Sequence, residues 1–212
     1  MNLYTFFRSG TSHRLRIALN MKNISVNHIP IDLRNDQQTS TEYLKLNPQG
    51  LVPALKIDHK VLIQSPAIIE WLEESYPNPP FLPSNPFDRV HVRAMASIVA
   101  CDIHPINNRR ILEYLKNEFS ANDVVLNKWC SRWISSGFDA LESILQNDNR
   151  TGKFTFGDSP SLADIYLIPQ VESARRFKID VQKWPIIFEI DKRCSSIEEF
   201  SRAMPSKQID AS

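Results

Sequence analysis

Hydrophobic and polar positions change period several times in the first 76 residues. Residues 2–7 (NLYTFF) are a short β-prone run and predict a strand. Residues 8–11 form a turn. Residues 12–22 then carry Leu15, Ile17, Ala18, Leu19 and Met21, a broad apolar face that predicts a helix stopped by Asn23. A second strand is predicted over 26–31 and a short helix over 40–46. Residues 52–57 (VPALKI) and 61–64 (VLIQ) read as a hairpin around Asp58-His59-Lys60. Ser65-Pro66 then opens a helix through Tyr76, with Ser65 read as N-cap and Pro66 as its first residue. The order is β-α-β-α-β-β-α.

Residues 77–86 (PNPPFLPSNP) hold five of the 14 prolines, a density that neither a helix nor a central strand tolerates. They are read as a linker, 78–86, between a first domain, 1–77, and a second, 87–212. Helical patterns fill the second domain. They run over 89–116 with an interruption at Pro105, over 123–146, over 161–177 and, more weakly, over 185–200. In the third, Ser161 and Asp164 have the spacing of a capping box. The tail SKQIDAS is read as loosely held.

The 212 residues are 42% hydrophobic, enough for a buried core without staples. Lys+Arg 25 against Asp+Glu 24 leaves a net charge of +1, which argues against a nucleic-acid partner. No stretch approaches the ~20 apolar residues of a membrane span, and no secretory signal is visible. Cys101, Cys130 and Cys194 fit neither a disulfide framework nor a paired metal motif, so a reducing, cytoplasmic setting and no metal are expected.

Five places offer chemistry. Ser9, Thr11 and Ser12 put three hydroxyls at a helix N-terminus, where unpaired N–H groups and the dipole favour an anion, including a thiolate. No cysteine stands there, so a thiolate would have to arrive on a ligand; plain helix capping is the competing reading. Gln64 and Ser65 form a second such start, suited to a carboxylate or to simple capping. Val52-Pro53 interrupts a strand and, if bent, would turn the Val52 backbone toward an extended ligand. His104, Asn108, Arg109 and Arg110 surround Pro105, with His104 and Asn108 expected on one helix face. Arg8 and the pair Arg175-Arg176 add further cations, and arginines grip carboxylates with forked donors. Asp102 and His13 receive no role, and His13 is placed on the helix surface.

In this order, the segments FRSGTSHRLRIAL, LNPQGLVPALKI, IQSPAIIEWLEE, DIHPINNRRILEYL and SLADIYLIPQVESARRFKID resemble the zeta class of cytosolic glutathione transferases, from about Leu3 to the last helix. The resemblance implies a thioredoxin-like N-terminal α/β domain, an all-helical C-terminal domain, a homodimer and glutathione as cofactor. It places Ser9, Gly10, Thr11 and Ser12 at the thiol-activating turn. Gln38 falls at a glutathione-contacting position. Val52, before a cis Pro53, would pair with the cysteinyl backbone, while Gln64 and Ser65 would hold the γ-glutamyl group. His104, Asn108, Arg109 and Arg110 match helical-domain positions that reach glutathione or substrate. Arg8, Arg110 and Arg176 are implied to meet substrate carboxylates. Ser9-Gly10-Thr11 departs from the Ser-Ser-Cys or Ser-Ser-Ala found in many members, so Ser9, Thr11 and backbone N–H groups all stay candidates for holding the thiolate.

The implied activity is glutathione-dependent cis–trans isomerisation of maleylpyruvate or maleylacetoacetate, dicarboxylate diketo acids of aromatic catabolism, by reversible thiolate addition. In that scheme Ser9 and Thr11 activate the thiol, and His104 and the arginines stabilise charge. A general conjugating transferase acting on electrophiles is the alternative, and a non-catalytic binding module is a third reading.

Overall fold

The computed structural model describes residues 1–211 of the 212. Its first 76 residues follow the predicted order. Strand β1 (Asn2–Thr5) pairs in parallel with β2 (Asn27–Pro30) and antiparallel with β3 (Ala54–Ile57), which pairs antiparallel with β4 (Lys60–Ile63). The sheet order is β2-β1-β3-β4. These directions have one consequence for function. The chain leaves β1, β2 and β4 at the same end of the sheet where it enters β3. Residues 6–11, 31–38, 52–53 and 64–65 therefore gather at that end.

Helix α1 (Gly10–Met21) begins earlier than predicted, because Ser9 caps it by accepting from the Ser12 N–H at 3.2 Å. Asn23, at φ 54°, ends it as expected. Helix α2 (Thr41–Leu46) follows two short 3-10 turns. Helix α3 (Ser65–Ser75) has Gln64 as its N-cap, so Ser65 is not the cap; it lies inside the first turn, 2% exposed. Leu3, Leu15, Ile17, Leu55, Ile69 and Leu72 are fully buried and form the main core of this unit. Phe6, Phe7, Ile31, Tyr43 and Val52 form a second apolar cluster toward the functional end of the sheet.

In the second unit, α4 (Pro86–Ser97) is capped by Asn85, whose Oδ1 accepts from Phe87 N–H at 2.8 Å. The predicted interruption near Pro105 is more than a bend. A π-helical turn, Ile98–Ile103, and a 3-10 turn, Pro105–Asn107, separate α4 from α5 (Arg109–Phe119). Proline has no N–H to continue the α-helical ladder. Helices α6 (Asp123–Asn147) and α7 (Leu162–Arg176) follow the expected bounds closely. The capping box is formed: Asp164, fully buried, accepts from the Ser161 N–H and hydroxyl and from the Thr155 N–H and hydroxyl at 2.7–3.0 Å. The predicted fourth helix is two, α8 (Pro185–Ser195) and α9 (Glu198–Ala203).

The compact units are Met1–Pro80 joined by the described residues of Ser195–Ser212, and Phe81–Cys194. The first division falls in the proline-rich stretch. The C-terminal segment differs from the expectation of a helical unit running to the end: α9 packs on α1, burying Phe200 and Ala203. Nor is the tail loosely held. Gln208 Nε2 donates to the Met204 and Arg202 carbonyls at 2.8 and 2.9 Å, and Asp210 accepts from the Phe7 N–H at 2.9 Å. Ser212, also part of that expectation, lies outside the described residues. Among the described residues, no helix is long and apolar enough to cross a membrane.

Candidate functional site

In the first unit, two helices of eleven residues or more begin at the functional end of the sheet, α1 and α3. Neither has an acidic residue in its first turn, so the dipole and the early N–H groups of each are left to favour an outside anion. At α1, the hydrogen-bond directions can be read from the atoms. A carbonyl cannot donate, so the Thr11 hydroxyl gives its proton to the Val52 carbonyl, at 2.9 Å. The Ser9–Thr11 contact, also 2.9 Å, then has Ser9 as donor. Ser9 Oγ meanwhile accepts from Ser12 N–H. Ser9, Thr11 and Val52 thus form one chain of bonds. Gly10 is half-buried between them at the start of α1. Ser12 stands apart: it is fully buried, and its hydroxyl accepts from Phe6 N–H at 3.5 Å.

Val52 precedes a cis Pro53, and its loop is braced from below. The Tyr43 hydroxyl and the Asn47 side-chain amide both donate to the Leu51 carbonyl, at 2.6 and 2.7 Å. Gln38 lies against the same loop. Its carbonyl oxygen is 3.1 Å from where a Cβ on Gly50 would stand, and Gly50 has φ +62°. A side chain at position 50 would be both strained and crowded. The Gln38 amide donates to Asp36, and its Oε1 is buried without a hydrogen-bond partner among the described residues.

Ala54 pairs with Ile63, so Pro53 and Gln64 are brought alongside at the next step of the ladder. Gln64 has φ 68° and makes no side-chain cap to α3. Its amide donates to the Gln49 side-chain oxygen, and Gln49 N–H donates to Asn47. Gln49 carries no sequence signal, because a polar residue in a Pro-Gly loop follows no pattern. The Ser65 hydroxyl accepts from the buried Arg14 guanidinium at 3.4 Å. Arg8 is exposed, with its guanidinium 5.7 Å from the Phe7 ring centre.

These residues suit glutathione. Main-chain groups at Val52, just outside the ladder of β3, suit a peptide laid alongside. The uncapped start of α3 suits a carboxylate, and the hydroxyl pair at α1 suits a thiolate. This unit contains no cysteine of its own.

In the second unit, His104 ends the π turn, and Asn108 is the N-cap of α5, accepting from Arg110 N–H at 3.2 Å. The two do not share an α-helical face, because residues 104–108 are not α-helical. Arg109 pairs with Glu113, one turn on, while the Arg110 side chain is exposed. Arg176 is exposed at the end of α7, 5.1 Å from the Phe177 ring centre and 3.3 Å from the Ser173 hydroxyl. Arg175 instead bonds the buried carboxylate of Asp191, a structural tie. Helix α6 connects the arginine to the kinked segment: Trp129 donates to the Ile106 carbonyl at 3.0 Å, and the charge of Arg176 acts on neighbouring Cys130. Burial pushes the Cys130 thiol up to about 11, with Arg176 pulling the other way. Burial, then the charges of Asp164 and Asp191, also pushes the Cys194 thiol far up. Neither is a thiolate at neutral pH. Among the described residues, no cluster of His, Cys, Asp or Glu could hold a metal ion.

Residues 3–80 match the family model for the glutathione S-transferase N-terminal domain. Over 211 residues, covering 100% of both chains, the sequence is 54% identical to the maleylpyruvate isomerase of a Ralstonia species. The fold matches the holo structure of a maleylpyruvate isomerase, a bacterial zeta-class glutathione S-transferase, with TM-score 0.99, 54% identity and 100% coverage of both chains. It also matches the maleylacetoacetate isomerase of Methylobacterium extorquens, solved with malonate and glutathione bound, with TM-score 0.97, 33% identity and 100% coverage of both chains. The chain belongs to the zeta class of glutathione transferases, alongside the maleylpyruvate and maleylacetoacetate isomerases.

Proposed function

We propose that the protein is a glutathione-dependent isomerase that converts maleylpyruvate, or maleylacetoacetate, to the fumaryl isomer. The observation that carries this reading is the bond from the Thr11 hydroxyl to the Val52 carbonyl. It joins the anion-favouring helix start to the peptide-like edge in a unit without a cysteine, as a borrowed thiol requires. The 54% identity to a maleylpyruvate isomerase over the full length supports the substrate class.

Glutathione, when bound, supplies a thiolate whose reversible addition turns the substrate's double bond into a rotatable single bond. The chain's residues have three tasks. Val52, Gln64 and Ser65, with Gln38 and Gln49 beside them, hold the peptide. Arg8, Arg110 and Arg176 orient the two substrate carboxylates, and forked donors suit both the geometry and the charge. One of these arginines, or His104, stabilises the negative charge that develops on the conjugated ketone oxygen. Asn108, the N-cap of α5, and Arg109 are assigned to binding glutathione.

The thiolate falls to Ser9. Its proton lies on Thr11, and turning it to a thiolate costs Thr11 only an accepted bond. Turning the Thr11 proton instead would strip the Val52 carbonyl of its donor. Ser9→Ala is expected to raise the thiol pKa of bound glutathione and lower kcat about 100-fold. Thr11→Ala is expected to shift the thiol less and to weaken glutathione binding through Val52. Titration of the thiolate absorbance of the complex reads both. An unshifted thiol in both variants assigns the task to backbone N–H groups.

We also infer a homodimer in the cytoplasm. Exposed Phe87 and Val90 on α4 support the first, and three free cysteines support the second. Sedimentation tests the dimer. The overall activity is tested by the ultraviolet time course of maleylpyruvate with and without glutathione. Isomerisation only with glutathione supports the reading. Glutathione consumed by an electrophile such as a chloronitrobenzene, with no isomerisation, favours the conjugating transferase.

A further inference from the structure

The turn that carries Arg8 and Ser9 is only as well placed as the two residues before it. Both are held from within. The buried Arg16 guanidinium donates to the Phe6 carbonyl at 3.4 Å and to the Phe7 carbonyl at 2.9 Å. It also donates to the Ala203 carbonyl at 3.0 Å and the Thr5 hydroxyl at 3.2 Å. All four acceptors are uncharged. The remaining main-chain group of Phe7, its N–H, donates to Asp210 Oδ2 at 2.9 Å, from 203 residues away in the chain. The second oxygen, Oδ1, is buried with no hydrogen-bond partner among the described residues.

A surface aspartate with a spare oxygen would turn to water; this one is kept in place. The segment bearing it is tied by Gln208 to the Arg202 and Met204 carbonyls and by the Ala211 N–H to the Gln208 carbonyl. Cations lie about it. Burial lowers the pKa of Arg16 to about 9, and the Asp210 charge opposes that shift. Arg34, 5.8 Å from the ring centres of both Phe6 and Phe7, also feels Asp210, after its stronger partner Asp32.

We propose that Asp210 is a positioning residue for the thiolate turn: its carboxylate clamps Phe7 through the main-chain N–H and so fixes where Arg8 and Ser9 stand. The proposal rests on the reading of residues 8–11 given above. Asp210 is the counter-charge that the neutral acceptors of Arg16 do not provide. It acts on the reaction through placement alone, and small displacements of reacting groups are costly.

The test compares Asp210→Ala, Asp210→Asn and the unaltered full chain by four readouts: amide hydrogen exchange at residues 7–9, thiolate absorbance of the glutathione complex, kcat and KM, and Tm. Asp210→Ala is expected to speed exchange at Phe7 and to lower kcat about tenfold, with a smaller change in glutathione KM. Asp210→Asn keeps an acceptor but loses the charge, and should fall between. A lowered Tm with kcat and thiolate absorbance unchanged overturns the proposal, since the tail would then only stabilise the fold. If the unaltered protein is no isomerase, the reading of the turn falls. The hydrogen-exchange contrast then decides the clamp by itself: faster exchange at Phe7 upholds it, and unchanged exchange overturns it.

Discussion

His13, on α1 directly after the capped turn, is 1% exposed rather than on the helix surface, and its Nε2 has no hydrogen-bond partner among the described residues. Burial, then the charges of Arg16 and Arg14, hold its pKa well below 6.5. The unfolded chain takes up a proton at this residue below about pH 6.5, and the native chain does not. Stability therefore falls as pH drops through that range, and stops falling only below the native pKa, with a slope of about 1.4 kcal/mol per pH unit for one proton. His28, whose pKa is lowered by burial first and by Arg16 second, acts in the same direction. Urea unfolding between pH 7 and 5 should show the slope, and His13→Gln should remove its share. An unaltered slope in that variant would place the protonation elsewhere. Residue by residue, the legible features were those where a side-chain type and a local pattern coincide: the helix start capped by Ser9 and the break at Val52-Pro53. The hydrogen bonds of Gln49, Arg14 and Asp210 were not legible, because their partners are distant in sequence.

At the scale of elements, the segment between α4 and α5 departs from α-helix as a π turn and a 3-10 turn, and it carries His104 and Asn108. Its π turn is pressed against α6 at Gly137. A Cβ there would lie 2.2 and 2.5 Å from two side-chain atoms of Ile103, which is itself fully buried. Gly137→Ala must move Ile103 and the turn it belongs to. It is expected to cost about 1–3 kcal/mol, read as a lowered unfolding midpoint. A variant as stable as the parent would mean that the turn yields freely, and would weaken the view that α6 fixes His104. Pro105 made a break here predictable. The π geometry was not, since one inserted residue shows in sequence only as a single wider gap in the apolar spacing, which a proline break produces equally well. At α3, Ser65-Pro66 announced a helix start but not the positive φ of Gln64 before it.

For the whole molecule, the β-α-β-α-β-β-α order and the proline-rich boundary were legible because each rests on local periodicity and punctuation. The return of the C-terminal segment to the first unit was not, although Phe200 and Ala203 are buried there. A weak helical pattern says that a face is covered, but not by what. As a whole, the protein borrows a thiolate, uses it and returns it. Supplying glutathione at about one-hundredth of the maleylpyruvate concentration, and following product and thiol together, tests this. Complete conversion to fumarylpyruvate, with the free thiol recovered, is expected. Conversion that halts after one equivalent of glutathione, with the thiol lost to an adduct, would contradict it.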